Sequence, residues 1–320
     1  MVQHLLQEQL HELRQAATED QLVEALGLVS VLLVRPDERG TFGQLDGLTT
    51  LVNHLQQLCA EQAAMAAPWT YSKAFGFHIG QKRLHTSVRY LLLTITHMAL
   101  DADLAAELCD LHLPQELYDE FVASECISET SVSSVVLDDG HSSLVALPQS
   151  CRLLALEALR NLCYTEALQA PHLTNGALDD LWRQLLEATS PATEVALIAD
   201  VFCNLSAHVP RALHAEKDRL TALLARLVNE KNEQVLIALS DLAVNLARDN
   251  HFSVIFLCAL EEGSAPGRPI LYLRDWAEAT TDLGLRSSLG ALTHNLAWSD
   301  VSTKIALQKL GASAFLEVFV

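Results

Sequence analysis

Apolar residues recur along this chain mainly at helical spacing. The opening "MVQHLLQEQLHELRQAA" sets Gln and Glu on the polar face of an amphipathic helix. "QLVEALGLVSVLLV", residues 21–34, predicts the long helix of a first structural unit, and "LDGLTTLVNHLQQLCAEQ" the opening of the next. "VRYLLLTITHMAL" follows, ending in residues 97–100. Beyond residue 150 the pattern sharpens into pairs. The shorter amphipathic helices "NGALDDLWRQLLEA", "EKDRLTALLARLVNE" and "RPILYLRDWAEAT" each precede a longer, more apolar one. Strand-type runs are nearly absent. One stretch, "VSSVVL-DDGH-SSLVAL", alternates loosely about an Asp-Gly turn and fits a hairpin or a loop.

The longer helices share an oddity. "LLALEALRNLCYTEA", residues 153–167, carries Asn161 in its middle, although Asn competes for nearby backbone groups and disfavours helix interiors. Of the chain's nine Asn, four are followed by Leu: Asn161, Asn204, Asn245 and Asn295. The steps between them are 43, 41 and 50 residues. The long third step contains "EEGSAPGRP", residues 261–269, which reads as a short loop insertion. Two residues after each Asn stands a small side chain, Cys163, Ser206, Ala247 or Ala297, where a neighbouring helix can approach closely. His97 holds the equivalent place 64 residues before Asn161. A helix pair of this kind cannot bury its apolar face alone, so the units must stack.

Composition supports helix: half the residues are apolar, led by Leu and Ala, and aromatics make up 6%. The net charge of −19 adds a sign to the surface. It repels nucleic acid and anionic lipid and attracts basic partners. The seven Cys include no CxxC, and the 13 His form no HExxH or zinc-type cluster. No metal and no cofactor is therefore expected, and the thiols read as buried hydrophobes in a reducing compartment. No apolar run approaches a membrane span, and the N-terminus lacks the form of a signal peptide. The expected location is the cytoplasm, with the nucleus open. The apolar end "LQKLGASAFLEVFV" begins another unit, which points to a chain that continues or an end that something covers.

These motifs resemble the armadillo repeat family. "LDGLTTLVNHL", "TNGALDDLWRQLL" and "LGASAFLEVF" are similar to its second helix, and "EALRNLC", "VFCNLS", "LAVNLA" and "ALTHNLA" to its third. The match is close over residues 150–320 and looser over 1–124. The resemblance implies an all-α, right-handed solenoid of about six or seven repeats spanning residues 1–320, degenerate toward the N-terminus. It also implies that third helices line a concave face, where the Asn side chains grip an extended peptide. An amide offers two donors and an acceptor for that purpose.

Residues one helical turn from each Asn share its face. Four positions earlier stand Glu157, Asp200, Asp241 and Ala291, three of the four acidic; three positions later stand Tyr164, Ala207, Arg248 and Trp298. Carboxylates beside amides favour a Lys- or Arg-containing segment. Importin-α-like members of the family carry Trp where this chain has Glu157, Asp200 and Asp241, so it departs from their mode. The competing reading is that each Asn only caps a neighbouring turn and the acids are a solvated face.

Two further irregular insertions are expected. Residues 66–85 hold Trp69, Tyr71, Phe75 and Phe77, either a partner-binding loop or rings tucked over a junction. Residues 124–150 are rich in Ser and acids. Nothing points to an enzyme: "LDDLW" pairs two acids without a second set, and neither a phosphate-binding glycine loop nor GxSxG occurs. The first expectation is a non-enzymatic scaffold or adaptor that binds a basic protein segment. The alternatives are a co-chaperone or exchange factor gripping a folded partner, such as a chaperone or small GTPase, and a structural subunit of a larger assembly.

Overall fold

The computed structural model describes residues 2–65, 74–123, 149–164, 173–187, 189–208, 213, 216–249, 252–254, 268–299 and 305 of the chain. Among these residues all the regular structure is helical, as the 3.6-residue spacing predicts. The chain divides into two compact units, Met1–Ala177 and Leu178–Val320.

The first unit contains α1 (Val2–Gln15), α2 (Glu19–Leu32), α3 (Pro36–Gln44), α4 (Gly47–Met65) and α5 (Ala74–Met98). After these come α6 (Ala102–Asp110), α7 (Leu113–Leu117, running into one π turn at Tyr118–Val122) and α8 (Gln149–Tyr164). The long helices form the spine: α2 packs on α5, and α5 packs on α8. Both contacts explain why α2 and α5 carry apolar residues beyond one narrow stripe. Leu22, Ala25, Leu26 and Val29 of α2, and Leu91, Leu92 and Ile95 of α5, are all buried.

α9 (Asn175–Leu186) begins at the boundary between units. The second unit continues with α10 (Ala192–His208), α11 (Lys217–Asn229), α12 (Glu233–Leu246), α13 (Arg268–Ala279) and α14 (Leu283–Ser299). Here α12 lies against both α10 and α14, while α11 backs α12 and α13 backs α14. Trp182 anchors this core, its indole 4.5 Å from the Phe202 ring in a stacked arrangement. Its buried N–H donates to the Leu213 carbonyl at 2.8 Å, so the ring brings apolar area without an unsatisfied donor.

Local chemistry fixes the helix ends. Thr18 and Gln21 form a reciprocal capping box at α2. Asp101 caps α6 and Asn232 caps α12. At the other ends, arginines meet the carbonyls that a helix leaves unpaired. Arg39 donates to Leu33 O and Val34 O at 2.9 and 3.0 Å. Arg14 reaches Leu45 O at 2.6 Å, and Arg286 reaches Thr280 O at 2.9 Å. Arg226 reaches Glu187 O at 2.6 Å, and Arg152 reaches Val122 O. Among the described residues these five arginines thus serve helix termini. In a chain with only 21 basic residues, this leaves fewer cations to balance the acids elsewhere.

The aromatic segment differs from the irregular insertion expected at 66–85. Residues 74–85 open α5, adding about three turns ahead of the repeat's own long helix; Gly76 and Gly80 do not break it. Residues 66–73, with Trp69 and Tyr71, lie outside the described residues, as do 124–148 and 261–267. Gln149 already belongs to α8, and Arg268 to α13.

The corner between α3 and α4 turns through Asp46, whose φ is 60°. It brings Gly47 onto the wholly buried Phe42, and a β-carbon at Gly47 would stand 2.3 Å from that ring. Gly47→Ala is expected to cost about 1–3 kcal/mol by overpacking. Gly40→Ala, where a β-carbon meets nothing within 4 Å, is expected to gain about 0.5–1 kcal/mol from helix propensity. Urea unfolding of both variants checks the pair.

Candidate functional site

The amides on the long helices make the same bond three times. Asn161 on α8 donates through Nδ2 to Thr96 O on α5, at 3.1 Å. Asn245 on α12 donates to Cys203 O on α10, at 2.9 Å. Asn295 on α14 donates to Val244 O on α12, at 3.1 Å. Thr96, Cys203 and Val244 each immediately precede the residue at the Asn position of their own helix: His97, Asn204 and Asn245. One rule describes all three. Each amide reads the backbone of the preceding long helix one residue before that helix's own rung.

The small residues make the approach possible. Ala99, Cys163, Ser206, Ala247 and Ala297, each two positions after a rung, are all buried. Ser206 adds its hydroxyl to the Cys203 carbonyl at 2.8 Å, so that oxygen accepts from two side chains. A hydrogen bond of this type contributes about 0.5–1.5 kcal/mol net, comparable to the propensity cost of Asn within a helix. The mid-helix Asn is therefore explained by a partner on the adjacent repeat.

The rungs differ in what remains exposed. Asn161 is only 7% exposed. Its Oδ1 accepts from both Nε and Nη2 of Arg160 at 3.3 Å. Asn204, Asn245 and Asn295 are half-buried. At Asn245, Nδ2 lies 2.9 Å from Cys203 O and 3.1 Å from Cys203 Sγ. With its donors so placed, Asn245 leaves its oxygen as the group open to a further contact.

The acids one turn before the rungs are half-buried. Asp241 Oδ1 accepts from the Ser288 hydroxyl of α14. Asp200 and Asp241 both act on the Cys203 thiol. Burial chiefly, then these two carboxylates, push it up to about 12. One thiol thus locates both carboxylates and the Asn245 amide in a single cluster. In the first unit Glu157 stands 4.0 Å from Arg160. It also acts on His97, although burial and the Arg39 guanidinium hold that imidazolium below its usual range.

Among the later positions, Tyr164 is 74% exposed and Arg248 is exposed. Trp298 lies in α14 with its side chain outside the described residues, as are the side chains of Phe75 and Phe77 at the start of α5. Sequence reasoning missed Arg160, Cys203 and Ser288. A comparison of the residues immediately before each rung (Arg160, Cys203, Val244 and His294) would have singled out Arg160.

The paired acids of "LDDLW" are engaged in ion pairs and a hydrogen bond near the surface. Asp179 meets Arg219 at 2.7 Å, while Asp180 takes Arg183 and Gln184. Among the described residues no group of His, Cys, Asp and Glu could hold a metal, and no helix is long and apolar enough to cross a membrane.

No family model matches the chain, and no curated protein matches it. Solved structures do. A designed armadillo repeat protein superposes with a TM-score of 0.59 at 14% identity, covering 91% of this chain and 99% of that one. A second, described as a designed armadillo repeat protein in complex with peptide (KR)4, gives 0.60 at 15% identity over 91% and 99% of the two chains. The chain has the armadillo-like fold. An engineered protein from a structural genomics consortium is also similar, with a TM-score of 0.61 at 12% identity over 92% of this chain and 97% of that one. In armadillo-like terms α2, α5 and α8 are third helices of the first unit, and α10, α12 and α14 those of the second. This is the all-α solenoid that the Asn-Leu period predicts.

Asn245→Ala is expected to cost about 1 kcal/mol. Asn245→Asp is expected to cost more, about 2–3 kcal/mol at pH 7, because a carboxylate replaces the donor beside Cys203 O. Denaturant midpoints separate the two. The thiols should also resist alkylation. Burial pushes those of Cys59, Cys109 and Cys203 up to about 12, so thiolate is scarce at pH 8 and these sites are expected to react with iodoacetamide only after unfolding.

Proposed function

We propose that the face of the second unit bearing Asn204, Asn245 and Asn295 binds an extended basic segment of a partner protein. The carrying observation is the direction of the Asn245 amide. Its donors point into the solenoid, so what the rung has left is an acceptor. Asp200 and Asp241 add carboxylates to the same cluster, and a chain with 40 acidic and 21 basic residues supplies a field of the same sign. Such a surface suits a donor-rich ligand, since Lys and Arg side chains bring several N–H groups and positive charge. A designed armadillo repeat protein of similar fold has been solved with peptide (KR)4, which supports this reading by analogy.

The role is that of a non-enzymatic scaffold or adaptor. Asp179 and Asp180, the paired acids of "LDDLW", are held in ion pairs with Arg219 and Arg183. Cys109, Cys151 and Cys163 are buried free thiols, which fits a reducing cytoplasmic or nuclear setting.

Fluorescence anisotropy with labelled (Lys-Arg)4 tests the reading. The expected result is saturable binding that weakens as salt rises. The double variant Asp200→Lys with Asp241→Lys, checked for helicity, should lose about tenfold or more. Equal binding of an uncharged peptide of the same length, or unchanged affinity in the double variant, would sink the proposal.

A further inference from the structure

The rung at Asn161 is built like the others but is already occupied. The Arg160 guanidinium lies between the Glu157 carboxylate, 4.0 Å away, and Asn161 Oδ1, 3.3 Å from two of its nitrogens. These are the two kinds of acceptor that the second unit offers near Cys203. The residues before Asn204, Asn245 and Asn295 are Cys203, Val244 and His294; the first two are too short to carry a cation to their rungs, and the imidazole of His294 has a shorter reach than the Arg160 guanidinium. Asn161 is also the most buried ladder amide in its class, at 7% exposure, while Asn204, Asn245 and Asn295 are half-buried.

We infer that Arg160 is an internal stand-in for a ligand's basic side chain, closing the Asn161 rung and confining basic segments to the second unit. This rests on the reading of the ladder face as a site for basic segments. The guanidinium satisfies Glu157 and Oδ1 together, so an incoming Arg or Lys must displace it before making either contact. The displaced pair is partly exposed, its side chains 33% and 42% accessible, so the closure is modest in strength and local in reach. Arg160 is thus a specificity-determining residue: its side chain sets whether a segment can occupy the Asn161 rung.

The test uses the full chain and a (Lys-Arg)4 peptide carrying a benzophenone photo-crosslinker, with adducts mapped by peptide mass spectrometry. Wild type is expected to yield adducts on α10, α12 and α14 and almost none on α8. Arg160→Ala should raise the α8 yield about threefold to fivefold, the range set by competition from a partly exposed ion pair. Arg160→Met, which keeps the aliphatic stem, should do the same if charge is the cause. Equal α8 labelling in wild type and both variants overturns the closure while leaving the groove reading intact. Absence of adducts from all three proteins overturns both.

Discussion

The bond from one long helix's amide to the backbone of its predecessor is the constraint on which the rest of this structure depends. Apolar contact alone lets two parallel helices slide, because dispersion and burial carry no direction. A hydrogen bond to one particular carbonyl does not permit this. Asn161, Asn245 and Asn295 each select the carbonyl one residue before the preceding rung. The small residue two positions later permits the approach, and a β-branched or long side chain there would hold the helices apart. Register is therefore specified by two positions in each of α8, α12 and α14.

The surface follows from that register. Once the rungs are aligned, residues one turn earlier are aligned as well, and Asp200 and Asp241 converge on Cys203. Charge distribution reinforces the effect. Arginines at the ends of α2, α9 and α13 and at the corners after α3 and α7 serve backbone carbonyls. These five arginines are thereby held at helix ends and corners, while Asp200 and Asp241 stand beside the Asn245 rung. The same amide that locks the repeats has its donors turned inward at Asn245, which leaves its oxygen for the ligand proposed above.

Much of this was legible in the sequence. The Asn-Leu period, the small residue after it and the near absence of strand patterns predicted stacked helix units, and α2, α5, α8, α10, α12 and α14 carry them out. Glu157, Asp200 and Asp241 were found because one helical turn is a fixed sequence distance. The destination of the amide donors was not legible. A ligand's backbone and a neighbour's backbone satisfy Asn equally well, and the accepting carbonyls of Thr96, Cys203 and Val244 have no side-chain signature. Arg160 was hidden for a related reason: it lies beside Asn161 in sequence, off the rung's own helical face, and reaches it only through the length of its side chain. Residues 74–85 read as loop because aromatics and two glycines obscure helical spacing, yet they extend α5.

The central claim is that the ladder amides are hydrogen-bond donors within the solenoid. It is tested most directly by selective 15N labelling of asparagine, followed by water exchange of the side-chain NH2 protons in NMR. The nine Asn include exposed Asn53 on α4 as an internal reference. The account expects slowed exchange at Asn161, Asn245 and Asn295 relative to Asn53, retained when basic peptide is added. Exchange at the Asn53 rate in all three would contradict it.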